Sequence, residues 1–108
     1  MKPKISMITL GVSDLARSTL FYCDGLGFPT YGNFPGITFF KLTGTWLALF
    51  PLEELAKDAQ VDSRGEGFSG ITLAHNVNSK TEVDAVLKQA QRAGALIIKP
   101  APPVAPKK

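Results

Sequence analysis

The sequence predicts an α+β fold, a single domain in which one order of elements (a strand, a helix, then further strands) is used twice. Three observations carry this reading. Ile8-Thr9-Leu10 returns as Ile71-Thr72-Leu73, an internal repeat 63 positions apart. Each copy leads into a stretch with apolar residues at helical spacing and a capping residue in front of it. Between the two copies lie short β-prone runs separated by Gly-containing turn clusters.

The first strand is read from Ile5 to Leu10, which holds β-formers and neither Gly nor Pro. Ser13 is placed to cap the helix that follows, with Asp14 in its first turn, where the helix dipole favours an anion. Ala16, Leu20 and Cys23 recur along that helix, and Gly25 and Gly27 end it. A meander is then expected from Tyr31–Phe34, Ile37–Leu42 and Trp46–Phe50, with turns at Pro35-Gly36 and Thr43-Gly44-Thr45. Pro51 suits the first turn of a short helix, Leu52–Ala59, whose Glu53 and Glu54 sit at its positive end. Asp62 to Gly67 reads as a linker. Module one is therefore drawn over 1–61, the linker over 62–67 and an incomplete module two over 68–108, all in one domain.

Module two opens with a strand at Ile71–Leu73. Ser79 and Glu82 form a capping-box pair, and Val83, Val86, Leu87 and Ala90 make one apolar stripe that stops at Gly94. Ala95–Lys99 is β-prone. The prolines at 100, 102, 103 and 106 lack backbone donors, so a central strand cannot continue and an extended tail is expected.

Composition narrows the function. The chain has 108 residues, 44% of them hydrophobic, enough for one core and not for two. Its net charge of +3 is no basic stripe, since Lys2, Lys4, Lys99, Lys107 and Lys108 sit at the ends and interior charges are mixed in sign. Nucleic acid is therefore not an expected partner. No apolar run approaches a signal-peptide core or a membrane span, so the expected place is the cytoplasm, with no membrane partner. The one cysteine, Cys23, rules out an internal disulfide and a cysteine-rich zinc site, and is expected to be a small buried apolar residue. No Ser, Thr or Cys has the His and acid partners of a nucleophilic site, and no phosphate loop follows a strand.

Several stretches then resemble one family. The run Ile8-Thr9-Leu10-Gly11-Val12-Ser13-Asp14-Leu15-Ala16-Arg17-Ser18, with Phe21-Tyr22 and Gly25-Leu26-Gly27-Phe28, looks like the opening of the glyoxalase, bleomycin-resistance and extradiol-dioxygenase superfamily. Leu73-Ala74-His75-Asn76-Val77, followed by Glu82 to Leu87, is similar to that superfamily's second-module opening. The resemblance implies paired βαβββ modules of the vicinal oxygen chelate fold, here with the second module incomplete. It also implies a cleft in which metal-dependent members hold a divalent ion that polarises neighbouring substrate oxygens.

Transferred onto this chain, the family's ligand positions fall on Met7, about Ala48, and Gly70; the fourth lies past the last residue. None of these three can ligate such a metal, so no metal, no cofactor and no metal-dependent catalytic residue is expected. His75, the only imidazole, falls by strand alternation on the face opposite Gly70, Thr72 and Ala74, away from the cleft. The cleft is expected to be lined by Met7, Thr9, Trp46, Ala48, Phe50, Gly70 and Thr72, with either Phe39 or Phe40 joining according to hairpin register. The function implied is metal-free binding of a hydrophobic or aromatic small molecule, as in bleomycin-resistance-like members. The alternative is a lyase of the lactoylglutathione type, or a dioxygenase, completed by a partner or a further segment. An uncovered sheet edge in module two predicts a homodimer, with exchanged strands as one way of building it.

Overall fold

The computed structural model of the chain describes residues 1–65 and 67–99. Strand β1 (Met7–Val12) leads into helix α1 (Leu15–Leu20), strands β2 (Thr38–Phe40) and β3 (Trp46–Pro51), helix α2 (Leu52–Ala59) and helix α3 (Lys80–Arg92). The sheet order is β1-β3-β2, with β3 in the centre. β3 runs parallel to β1, Met7 opposite Trp46 and Thr9 opposite Ala48, and antiparallel to β2, Phe39 opposite Ala48 and Phe40 opposite Leu47.

The helix α1 start differs from the expectation at one residue. Asp14, not Ser13, is the cap: its backbone is extended and its carboxylate accepts from the Arg17 amide at 3.0 Å. This puts an anion on the unsatisfied first-turn amides, the favourable end of the dipole. After Leu20 the helix widens into a π turn over Phe21–Gly25, marked by the Leu26 amide donating to the Phe21 carbonyl at 2.9 Å. Gly27, at φ 82°, then reverses the chain in a conformation that few side chains tolerate.

α1 covers one face of the sheet. Phe40, Leu47 and Leu49 are buried there, with Ile8, Leu10, Val12, Leu15, Tyr22, Cys23, Phe28 and Leu42 packed around them. The π turn delivers Tyr22 into this core, where its ring centroid lies 6.0 Å from Phe28 and 5.8 Å from Phe40. A hydroxyl pair, Thr19 Oγ1 and Thr38 Oγ1 at 2.9 Å, ties α1 to β2. α2 packs across the far end of β1, where Gly11 makes room: a Cβ on it would lie 2.7 Å from Leu52 Cδ1.

Three β expectations are corrected. Tyr31–Phe34 forms only bridges, Thr30 with Phe40 and Phe34 with Ile37. Pro29 and Pro35 have no amide to donate and Gly32 turns at φ 67°, so no continuous ladder grows. Neither Ile71–Leu73 nor Ala95–Lys99 is a strand. β-propensity reflects packing against a neighbouring strand, and among the described residues none lies alongside them. Within module two, α3 does form as expected, Ser79 Oγ accepting from the Glu82 amide at 3.2 Å. The proline-rich tail lies outside the described residues.

Candidate functional site

The sheet face opposite α1 brings together five of the residues expected to line the cleft. In a parallel pair, opposed residues point the same way, so Met7 and Thr9 share a face with Trp46, Ala48 and Phe50. The antiparallel register adds Phe39 to that face and sends Phe40 into the core, with no exposure. Two aromatic rings from the irregular 29–37 stretch lean on it. Tyr31 lies 4.9 Å from Trp46, tilted by 55°, and Phe34 meets Phe39 edge-on at 5.5 Å. Ala48 is fully buried at the centre of the face, covered by the larger side chains around it.

One end of this face opens into a cleft of about 780 Å³ between Met7 and Trp46. Its outer wall is the N-terminal arm, Pro3 to Ser6. That arm is pinned by Thr45 Oγ1 donating to the Ile5 carbonyl at 2.8 Å and by the Trp46 amide donating to the Ser6 carbonyl at 3.0 Å. Lys4 brings the only charge to the wall. The other end of the face is closed by α2, whose Leu52 and Leu55 sit against Gly11.

Gly70 and Thr72 are not brought to this face. Both are exposed in an irregular segment, and Gly70 stands in open space at φ 81°. Alternation does not orient His75 either, because that segment is not a strand. With Leu73 and Ala74 it borders a separate cleft of about 710 Å³ on the α1 side, floored by Ile8, Tyr22, Phe28, Leu42 and Leu47. Burial there raises the Tyr22 phenol above its ordinary value, so it stays protonated at neutral pH.

The donor set does not fit a divalent metal. Met7 offers a thioether, Ala48 a methyl group and Gly70 no side chain, where such an ion needs imidazole or carboxylate. Among the described residues no three of His, Cys, Asp and Glu stand together. Cys23 packs on the core, and partial desolvation, aided by the Asp24 carboxylate, pushes its thiol up, away from nucleophilic use. The sequence pattern does not assign Tyr31 and Phe34 to the face. Their spacing around Pro-Gly resembled ordinary meander, and only the hairpin register reveals where the rings point.

Comparison with known proteins assigns the family. The sequence profile of the glyoxalase/bleomycin resistance protein/dioxygenase superfamily matches residues 4–107. The chain belongs to that superfamily. Among solved structures it is similar to a glyoxalase-related enzyme from Fulvimarina pelagi, at 32% identity and a TM-score of 0.75, covering 86% of this chain and 66% of that one. A superfamily protein from Nocardioides gives 27% and 0.72 over 93% and 68%. Lactoylglutathione lyase from Agrobacterium tumefaciens gives 25% and 0.64 over 87% and 72%. The chain thus spans about two thirds of the length of these superfamily structures. No curated protein matches it significantly. The α+β class and the glyoxalase-like fold expected from sequence are those found, and no helix among the described residues is long and apolar enough to cross a membrane.

Proposed function

We propose that this superfamily member binds a small hydrophobic or aromatic molecule on the open sheet face and performs no metal-dependent chemistry there. The observation that supports it most is the shared face of Met7, Thr9, Phe39, Trp46, Ala48 and Phe50, of which Met7 and Trp46 also border the 780 Å³ cleft behind the N-terminal arm. The apolar and aromatic side chains of that face suit a planar ligand held by ring contacts and desolvation, with Lys4, Ser6 and Thr45 supplying polar groups in the cleft at its end. The substitution of all three family ligand positions by side chains without oxygen or nitrogen supports binding over catalysis at this face.

Trp46 is the only tryptophan, so its fluorescence reports on the site without a background. Titration with a naphthalene probe is expected to quench it saturably. Met7→Glu, at a side chain that is 38% exposed and can be changed without disturbing the core, is expected to weaken binding by about tenfold, the effect of about 1.4 kcal/mol. Elemental analysis of the purified protein is the second arm. A stoichiometric metal, or quenching that never saturates, would overturn the reading.

A further inference from the structure

The cleft on the α1 side, of about 710 Å³, is walled by both halves of the chain. Ile8 and Leu47 come to it from the sheet, Tyr22 and Phe28 from the π turn and the residues that follow it, and Leu73 to His75 from the second half. The second half is held beside the first by α3. Ala93 lies directly against Gly25, and Gln89 Nε2 donates to the Gly25 carbonyl at 3.1 Å, fixing that helix to the π turn. A cleft of this size is within the range that small molecules fill.

Its polar groups are few, and they are donors. Tyr22 sits half-buried, and its hydroxyl has no hydrogen-bond partner among the described residues, burial being all that acts on its proton. No side-chain oxygen or nitrogen among them is both sealed from solvent and unpaired, so this hydroxyl has an opening, and the cleft is an opening that Tyr22 lines. A tyrosine in such a place ordinarily finds a partner for its O–H. Thr43 and His75 stand exposed at the rim. A threonine hydroxyl can donate, and an imidazole offers a ring N–H whether neutral or charged. Thr45 Oγ1 is already committed to the Ile5 carbonyl. Among the described residues no carboxylate, ammonium or guanidinium group lines this cleft.

We propose that this α1-side cleft binds an amphipathic monocarboxylate, its apolar body lying on Ile8, Phe28 and Leu47 and its carboxylate accepting from the Tyr22 hydroxyl and the His75 imidazole. The polarity of the site selects that head group. A cationic head would find no carboxylate to receive it, and a wholly apolar ligand would cover the phenol without pairing it, which costs free energy. An anion meets donors, no acidic side chain to repel it, and a chain whose net charge of +3 attracts it at long range. The apolar body also covers Leu73, which is 50% exposed. Occupancy therefore joins the second half to the first. The inference does not rest on the open face binding a ligand, since that face lies on the other side of the sheet.

Calorimetric titration of the full chain with sodium decanoate is expected to saturate at one molecule per chain. 1-Decanol, with a similar body and no charge, is expected to bind about tenfold more weakly, the difference between a charge-assisted hydrogen bond and a neutral one. Tyr22→Phe keeps the ring and removes only the oxygen, and His75→Ala changes an exposed side chain, so each should keep the far-UV spectrum and weaken decanoate by about tenfold. Leu96→Ala, at a side chain 83% exposed and outside the cleft, is expected to bind as the parent chain does. His75 is the only imidazole, so its ring proton resonances stand alone and should shift along the same binding curve. Binding that never saturates, equal affinity for decanol, parental affinity in Tyr22→Phe or His75→Ala, or equal loss in Leu96→Ala would overturn the proposal. The naphthalene titration at Trp46 is read separately. Decanoate binding without it sinks only the proposed function, and quenching without decanoate binding sinks only this inference.

Discussion

Cys23 shows how one side chain is decided by its surroundings. On the α1 side it touches the core, where partial desolvation disfavours the thiolate, and its thiol can donate to the Asp24 carboxylate, which favours the neutral form again. Its pKa in the folded chain is thus raised above that in the unfolded chain. The unfolded chain then loses its proton first as pH rises, so the contribution to stability is full below the ordinary thiol range and is lost as pH climbs through the folded value. Tyr22, raised by burial, acts in the same direction at higher pH. Urea midpoints are expected to be flat around neutrality and to fall above the ordinary thiol range, with a shallower fall in Cys23→Ala. Iodoacetamide should modify the folded protein more slowly than free cysteine at the same pH; equal rates would contradict the assignment.

Gly11 illustrates a constraint on the packing of elements that composition alone does not reveal. It is the point at which α2 crosses β1, with Leu52 and Leu55 against the backbone where a side chain would be. Gly11→Val is expected to cost about 1–3 kcal/mol through overpacking. Leu52→Ala in the same chain should restore part of it, because the closest atom is the far end of the Leu52 side chain; urea titration of the single and double variants reads both. The elements that could be predicted from sequence share a local cause. α3 carries its own cap at Ser79, α2 its proline and glutamates, and β3 an apolar run long enough to be central. Those that could not depend on partners far along the chain. Phe39 and Phe40 are indistinguishable until the register with Ala48 and Leu47 is set, and Ile71-Thr72-Leu73 has the side chains of a strand but no neighbour to make it one. The candidate face was legible for the same reason as β3, because strict alternation from Trp46 to Phe50 orients each residue once the strand is known. Gly70 comes to the cleft only through the family resemblance, and Thr72 only by extending the alternation rule from it along a segment that is not a strand.

The two halves of the chain differ in how they are held. The buried apolar residues among those described are Phe40, Leu47, Ala48, Leu49 and Ala56, all before residue 60. From residue 61 to 99 none of the described residues is buried, and Leu96 and Ile98 are 83% and 87% exposed. Hydrophobic burial is the main force opposing chain entropy, so the first half carries the cooperative core and the second rests on the helix propensity and cap of α3 and its contact at Gly25. A short helix with so little packing opens far more readily than a central strand. Leu49→Ala is therefore expected to cost about 2–5 kcal/mol, whereas Ile98→Ala should change stability by less than about 0.5 kcal/mol. Amide exchange reads the same division directly: β3 amides should exchange only through global unfolding, and α3 amides through local opening that urea barely affects. If α3 and β3 exchanged at one common rate, the second half would have to share the core of the first, and its stability could not rest on the cap and the Gly25 contact alone.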